Sequence, residues 1–193
     1  MAFSKKQVLR LAKACVNNDR TAQETLYKFY HGDMMRVCLS YLPDKELAKE
    51  AFNMGFLKVF QSIGSFDPDK GELGGWIRRI MINTAIDLLR SELKFDPVQI
   101  STIEENEMFI SPQVLEKLYA EDIIRAIRRL PLATQAVFNL ALFDGFSHQE
   151  ISAQLCISEG TSRWHLSEGR RQLRQLLEPL SSNAKKERRT KPE

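Results

Sequence analysis

The sequence is short of several things, and each shortage excludes a class of protein. It has only 3 cysteines (Cys15, Cys38 and Cys156) in 193 residues, far apart and odd in number. A disulfide framework is therefore excluded, and the spacings of Cys15, His31 and Cys38 fit no zinc pattern. With 9 glycines and 7 prolines, the chain is too poor in turn residues for a many-turned all-β fold. No apolar run approaches the roughly 18 residues of a membrane span. The opening Met1-Ala2-Phe3-Ser4-Lys5-Lys6 has no long apolar stretch behind it, which predicts no secretory signal and a cytoplasmic protein. Asp67, Asp69 and Glu72 lie among glycines but lack the ligand positions and terminal glutamate of a calcium loop. No convergent His/Asp/Glu set supports a metal-dependent hydrolase, so neither metal nor cofactor is expected.

What the sequence has is helical periodicity and segregated charge. Hydrophobic residues make up 43% and charged residues 27%, and the net charge is only +3. Residues 91–122 hold eight acids (Glu92, Asp96, Glu104, Glu105, Glu107, Glu116, Glu121 and Asp122) against Lys94 and Lys117. Arginines lie on both sides: Arg78, Arg79 and Arg90 before, and Arg125, Arg128, Arg129, Arg163, Arg170, Arg171 and Arg174 after. Two basic blocks around an acidic middle point to two nucleic-acid-facing parts and a connector of another kind.

The apolar spacing predicts four helices in the first part. The first, over residues 4–18, opens on a Ser4/Gln7 capping box. The second carries Leu26 to Tyr41. The third runs from Asp44 to Ile63, with Gly55 inside it marking close packing. After the loop 64–75 comes a fourth, from Trp76 to Arg90, with Trp76 expected in the core. Periodicity is lost over 91–118, which reads as a linker. Stripes return at Ile123 to Leu130 and at Val137 to Phe143. Ser147 with Glu150 forms a second capping box. A break at Cys156-Ile157-Ser158 then leads to a last helix ending near Leu177. The polar, basic tail 181–193 is expected to be disordered.

Two short helices joined by a tight turn, the second bearing arginine, form a helix-turn-helix over residues 147–171. A helix fits the major groove, and its N-terminal half meets base edges. Ser158, Thr161, Arg163, Trp164, His165, Ser167, Arg170 and Arg171 are the expected DNA-binding residues, with Arg163 suited to bidentate contact with guanine. The helix at 76–90, basic and carrying Asn83, is a second and weaker nucleic-acid signal.

Three stretches together resemble the bacterial RNA polymerase sigma factors of the extracytoplasmic-function group. Residues 47–60 (Leu47 to Phe60) look like the helix that docks on the polymerase clamp. Residues 75–90 (Gly75 to Arg90) look like the helix that reads the minus-ten promoter element. Residues 146–151 with 158–163 look like the helix-turn-helix that reads the minus-thirty-five element.

The resemblance implies an all-α chain of two helical domains. Region 2 would be a helical bundle over 1–92, and region 4 a helix-turn-helix domain over 119–180. A flexible acidic linker at 93–118 would pass through the RNA exit path, followed by the tail 181–193. It implies that Lys70, Arg78, Arg79 and Asn83 contact the minus-ten element, with one of the two arginines paired to Asp87. It also implies that Glu46, Glu50, Asn53, Phe56 and Leu57 meet core polymerase. Core RNA polymerase and promoter DNA are the implied partners, an anti-sigma factor is allowed for, and catalysis would lie in the polymerase.

The sequence departs from the family at Asn53-Met54, where a Gln-Glu pair is common, and at Glu168, where the family often has a basic residue. At Cys156 glycine is common, so a strained turn is expected. The rival reading is a stand-alone helix-turn-helix regulator that binds duplex DNA without polymerase.

Overall fold

The computed structural model describes residues 4–92 and 120–189, with side chains over 4–91 and 123–177. The expected linker lies outside the described residues. The chain divides into two units, Met1–Lys94 and Phe95–Glu193. Among the described residues all regular structure is helical. None of the described helices is long and apolar enough to cross a membrane.

The first three helices of this unit start where a short polar side chain takes up orphan N–H groups. Helix α1, Lys5–Val16, opens on Ser4. The Ser4 hydroxyl accepts from the Gln7 N–H, and the Gln7 side chain accepts from the Ser4 N–H at 2.9 Å. The expected capping box is therefore present. Helix α2, Arg20–Tyr41, is capped by Asp19, and α3, Lys45–Ser62, by Asp44. Each carboxylate accepts from two backbone N–H groups. A single 3₁₀ turn, Ile63–Ser65, follows α3.

Helix α4 spans Leu73–Glu92, starting three residues earlier than its apolar pattern suggested. Buried Leu73 anchors that first turn, and the Glu72 carbonyl accepts from the Trp76 N–H at 3.1 Å. Trp76 is half-buried and packs on Phe66, with ring centroids 5.7 Å apart.

The core of this unit gathers Leu26, Val37, Phe52, Phe56, Ile77, Met81, Ile86 and Leu89, all buried. Gly55 allows α3 to close on α4, because a β-carbon there would lie 2.3 Å from the Met81 Sδ. The close packing read from the sequence is thus explained. Cys15 and Cys38 are both buried, and burial pushes the Cys38 thiol up to about 12.

The second unit is built around one buried helix. Helix α5, Ala120–Ile127, leads through Leu130 and Pro131 to α6, Leu132–Leu142. Every residue from Thr134 to Leu140 is buried. Helix α7, His148–Leu155, opens on the Ser147/Glu150 capping box, both halves of which are formed. It closes on Cys156, whose φ of 55° and ψ of 44° are left-handed, the strained turn expected there.

Helix α8, Glu159–Arg189, continues well past Leu177. The expectation of a disordered tail from residue 181 is therefore corrected as far as Arg189. Ala184, Lys185, Lys186, Glu187, Arg188 and Arg189 are good helix formers, so the backbone continues without an apolar face.

Candidate nucleic-acid interface

Helix α4 presents one exposed stripe. Met81, Ile82, Thr84, Ala85 and Ile86 are buried, yet Asn83 between them is exposed. Gly75, Arg79, Asn83, Asp87 and Arg90, spaced by four, four, four and three residues, share that face. Arg78 is half-buried beside it. The buried face of α4 positions the stripe as a strip of amide and guanidinium groups. Asp87 receives Lys58 of α3, Nζ to Oδ2 3.5 Å, which brings a third helix position to the strip. Sequence reasoning missed Lys58, because only the packing of α3 on α4 places it there.

The loop before α4 is tied down from outside. Lys5 Nζ lies 2.7 Å from Asp69 Oδ1, joining the start of α1 to this loop. Lys70 is exposed, with Asp67 3.6 Å away.

On α3 the exposed face carries Glu46, Glu50, Asn53 and Leu57 together with Met54. Leu57 is 58% and Met54 41% exposed, an apolar pair flanked by polar groups. Asn53 accepts from the Tyr27 hydroxyl at 3.4 Å. Phe56 departs from expectation. It is 2% exposed and packs among Tyr27, Phe52 and Phe60, so it belongs to the core and not to a contact surface. The phase of the helix decides this: Phe52, Gly55, Phe56 and Val59 form the buried stripe of α3.

The second unit carries the helix-turn-helix, α7 and α8 with three residues between them. On α8 the buried stripe is Ser162, His165, Leu166, Gly169 and Leu173. Gly160, Arg163, Ser167, Arg170 and Arg171 are exposed, and Thr161 and Trp164 are half-buried. Ser158 caps α8, its Oγ accepting from the Thr161 N–H at 3.0 Å and sharing a hydrogen bond with the Thr161 hydroxyl.

His165 was expected to face DNA, and the structure corrects this. It is 4% exposed, with Nδ1 3.0 Å from the Thr134 hydroxyl on α6. Trp164 stacks edge-on against it, with ring centroids 4.8 Å apart.

Two carboxylates organise the arginines. Glu159 Oε2 accepts from Arg163 at 2.6 Å. Glu168 accepts from Arg171 twice, at 2.8 and 2.6 Å, and from Gln172 at 2.6 Å. Its side chain is only 10% exposed. The Arg171 hydrogen bonds hold the Glu168 carboxyl below its usual range. Glu168 therefore anchors Arg171 within the domain, which accounts for a carboxylate at a position where the family often has a base.

Residues 26–94 match the family model for sigma-70 region 2, and residues 120–173 match that for sigma-70 region 4. The chain is 24% identical over 193 residues to the RNA polymerase sigma-H factor of Pseudomonas aeruginosa, covering 94% of this chain and 100% of that protein. It is 24% identical over 172 residues to the ECF RNA polymerase sigma factor SigM of Mycobacterium tuberculosis, covering 89% and 85%.

The chain belongs to the sigma-70 family, in its extracytoplasmic-function group.

Among solved structures it is similar to the sigma factor RpoE of Bartonella quintana, solved in complex with the anti-sigma factor NepR. That likeness has a TM-score of 0.49 and 18% identity, over 80% of this chain and 96% of that one. As an alternative sigma factor, the protein works with core RNA polymerase on promoter DNA to initiate transcription. The strip on α4 lies in region 2, and the helix-turn-helix lies in region 4.

Proposed function

We propose that the α4 strip holds the opened minus-ten element and that α8 reads the minus-thirty-five duplex. The observation that carries the first half is Asn83, an exposed amide set in a helix otherwise buried around it. An amide both donates and accepts, so it can read the edge of an unstacked base. Arg78, Arg79 and Lys70 take the flanking phosphates. On α8, Arg163 exchanges Glu159 for the O6 and N7 of a guanine. Thr161, Trp164, Ser167 and Arg170 line the same helix. Ser158 contributes as the cap that orders its first turn, and Arg171, held by Glu168, offers its outer edge to a phosphate.

The exposed face of α3, with Glu46, Glu50, Asn53 and Leu57, docks on core polymerase, and Met54 joins it. Burying Leu57 and Met54 supplies apolar contact where the family's usual Gln-Glu pair is absent. The protein itself performs no covalent step; the polymerase does. It acts in the cytoplasm, beside the polymerase, and an anti-sigma protein would cover the same faces.

The two halves separate experimentally. In holoenzyme, Asn83→Ala removes promoter opening, read as permanganate reactivity of thymines, more than it removes closed-complex binding. Arg163→Ala weakens duplex binding by about 10- to 100-fold, corresponding to ~1–3 kcal/mol for one bidentate pair. Equal loss of both steps in both variants would refute the division of labour.

A further inference from the structure

The sequence expectations left His148 unassigned, and the structure gives it a role that rests on the reading of α7 and α8 above. We infer that His148, protonated, binds a backbone phosphate of the upstream duplex, so that region 4 takes up a proton when it engages the promoter.

His148 is the first residue of α7. Its Nδ1 lies 2.8 Å from the Ser162 hydroxyl, which is fully buried on the recognition helix α8. That is the ring's one hydrogen bond among the described residues. The bond fixes the ring between the two helices, and Nε2, on the opposite side of the ring, is left for an outside acceptor. The backbone N–H groups of the first turn of α7 point the same way as the helix N-terminus, toward negative charge.

The ionic surroundings of this ring come from α8. Burial makes its protonated form unfavourable, Arg163 and Arg170 add to that, and Glu159 opposes them. Helix α6 also packs on α7, and its sequence from Leu132 to Leu142 contains no titratable side chain. On α7 itself, Glu150 turns back to the Ser147 N–H at 2.9 Å. In the free protein these surroundings favour the neutral ring.

Arg163 and Arg170 are also the side chains proposed to meet DNA. With Arg163 on its guanine, a phosphate drawn to the start of α7 beside Arg170 supplies the negative charge that the imidazolium lacks, and Nε2–H becomes a charge-assisted donor. The sign follows. The bound form holds the proton more tightly than the free form, so binding strengthens as pH falls through the histidine range. The other two histidines do not share this setting. His31 lies in the first unit against Phe52, and His165 is buried against Thr134.

The test uses holoenzyme assembled from the full chain and core polymerase, on a promoter fragment recovered by run-off transcription. Affinity is measured for wild type and His148→Gln between about pH 6 and about pH 8. Glutamine keeps a hydrogen-bonding group near Ser162 but cannot be protonated. The expected result is a wild-type-to-variant affinity ratio that rises about five- to tenfold toward the acid end. A ratio flat across that range, with specific binding intact, overturns the inference and leaves the sigma-factor reading standing. No specific binding at any pH overturns both. Calorimetry of wild type alone in two buffers of different ionisation heat provides a check independent of the variant's folding. Net uptake approaching one proton near pH 6.5 supports the inference, and none overturns it.

Discussion

Replacing Cys156 with glycine should stabilise the second unit by about 0.5–1 kcal/mol. Cys156 closes α7 with φ 55° and ψ 44°, where a β-carbon crowds the following carbonyl. That conformation costs a non-glycine residue roughly 1–2 kcal/mol. Glycine relieves it but widens the unfolded ensemble, returning about 0.4–1 kcal/mol. The thiol is exposed and donates to the Ala153 carbonyl at 3.9 Å, a long, weak hydrogen bond whose loss costs little. Alanine keeps the β-carbon and so keeps the strain, whereas valine adds branching at Cβ and worsens it by about 1 kcal/mol. The assay is urea unfolding followed by Trp164 fluorescence in a Trp76→Phe background, since these are the 2 tryptophans of the chain and Trp76 belongs to the other unit. The midpoints should fall in the order glycine, then cysteine and alanine together, then valine, with unchanged slopes. A glycine variant no more stable than the alanine variant would refute the argument.

Gly55→Val should destabilise the first unit by about 2 kcal/mol in the same type of experiment, because a β-carbon meets the buried Met81 Sδ at 2.3 Å. Ser147→Ala should cost the second unit about 1 kcal/mol by removing one half of a capping box. Glu168 predicts a pH dependence. Its carboxyl is depressed by Arg171, so its contribution is present above the ordinary value of 4.5 and lost as pH falls below it. Glu168→Gln should therefore lower the thermal midpoint of the second unit at neutral pH, with the gap to wild type closing in acid.

Features set by neighbours along the chain were legible. The Ser4/Gln7 and Ser147/Glu150 boxes, the three-residue turn into α8 and the left-handed Cys156 all depend on residues within one turn of each other. Gly55 was legible as a close approach, although its partner Met81 was not. What escaped were features set by packing. Phe56 sits within a stretch that resembles a docking helix, but the phase of α3 turns it inward against Tyr27 and Phe52. His165 lies between residues that look surface-exposed, and its burial depends on Thr134, 31 positions away. Glu168 reads as a stray acid on a basic helix until Arg171 and Gln172 are seen to hold it. The end of α8 was misplaced because an apolar stripe marks where a helix packs, not where its backbone stops.

The central claim is that this chain gives core polymerase its promoters. Run-off transcription on fragmented DNA, with bacterial core polymerase in the presence and absence of the protein, tests it most directly. The account predicts transcript starts that appear only with the protein and share two spaced upstream elements. Loss of those starts with Asn83→Ala and Arg163→Ala would tie them to α4 and α8. No protein-dependent starts from a polymerase shown active with another sigma factor, together with tight specific duplex binding by the free protein, would contradict the account.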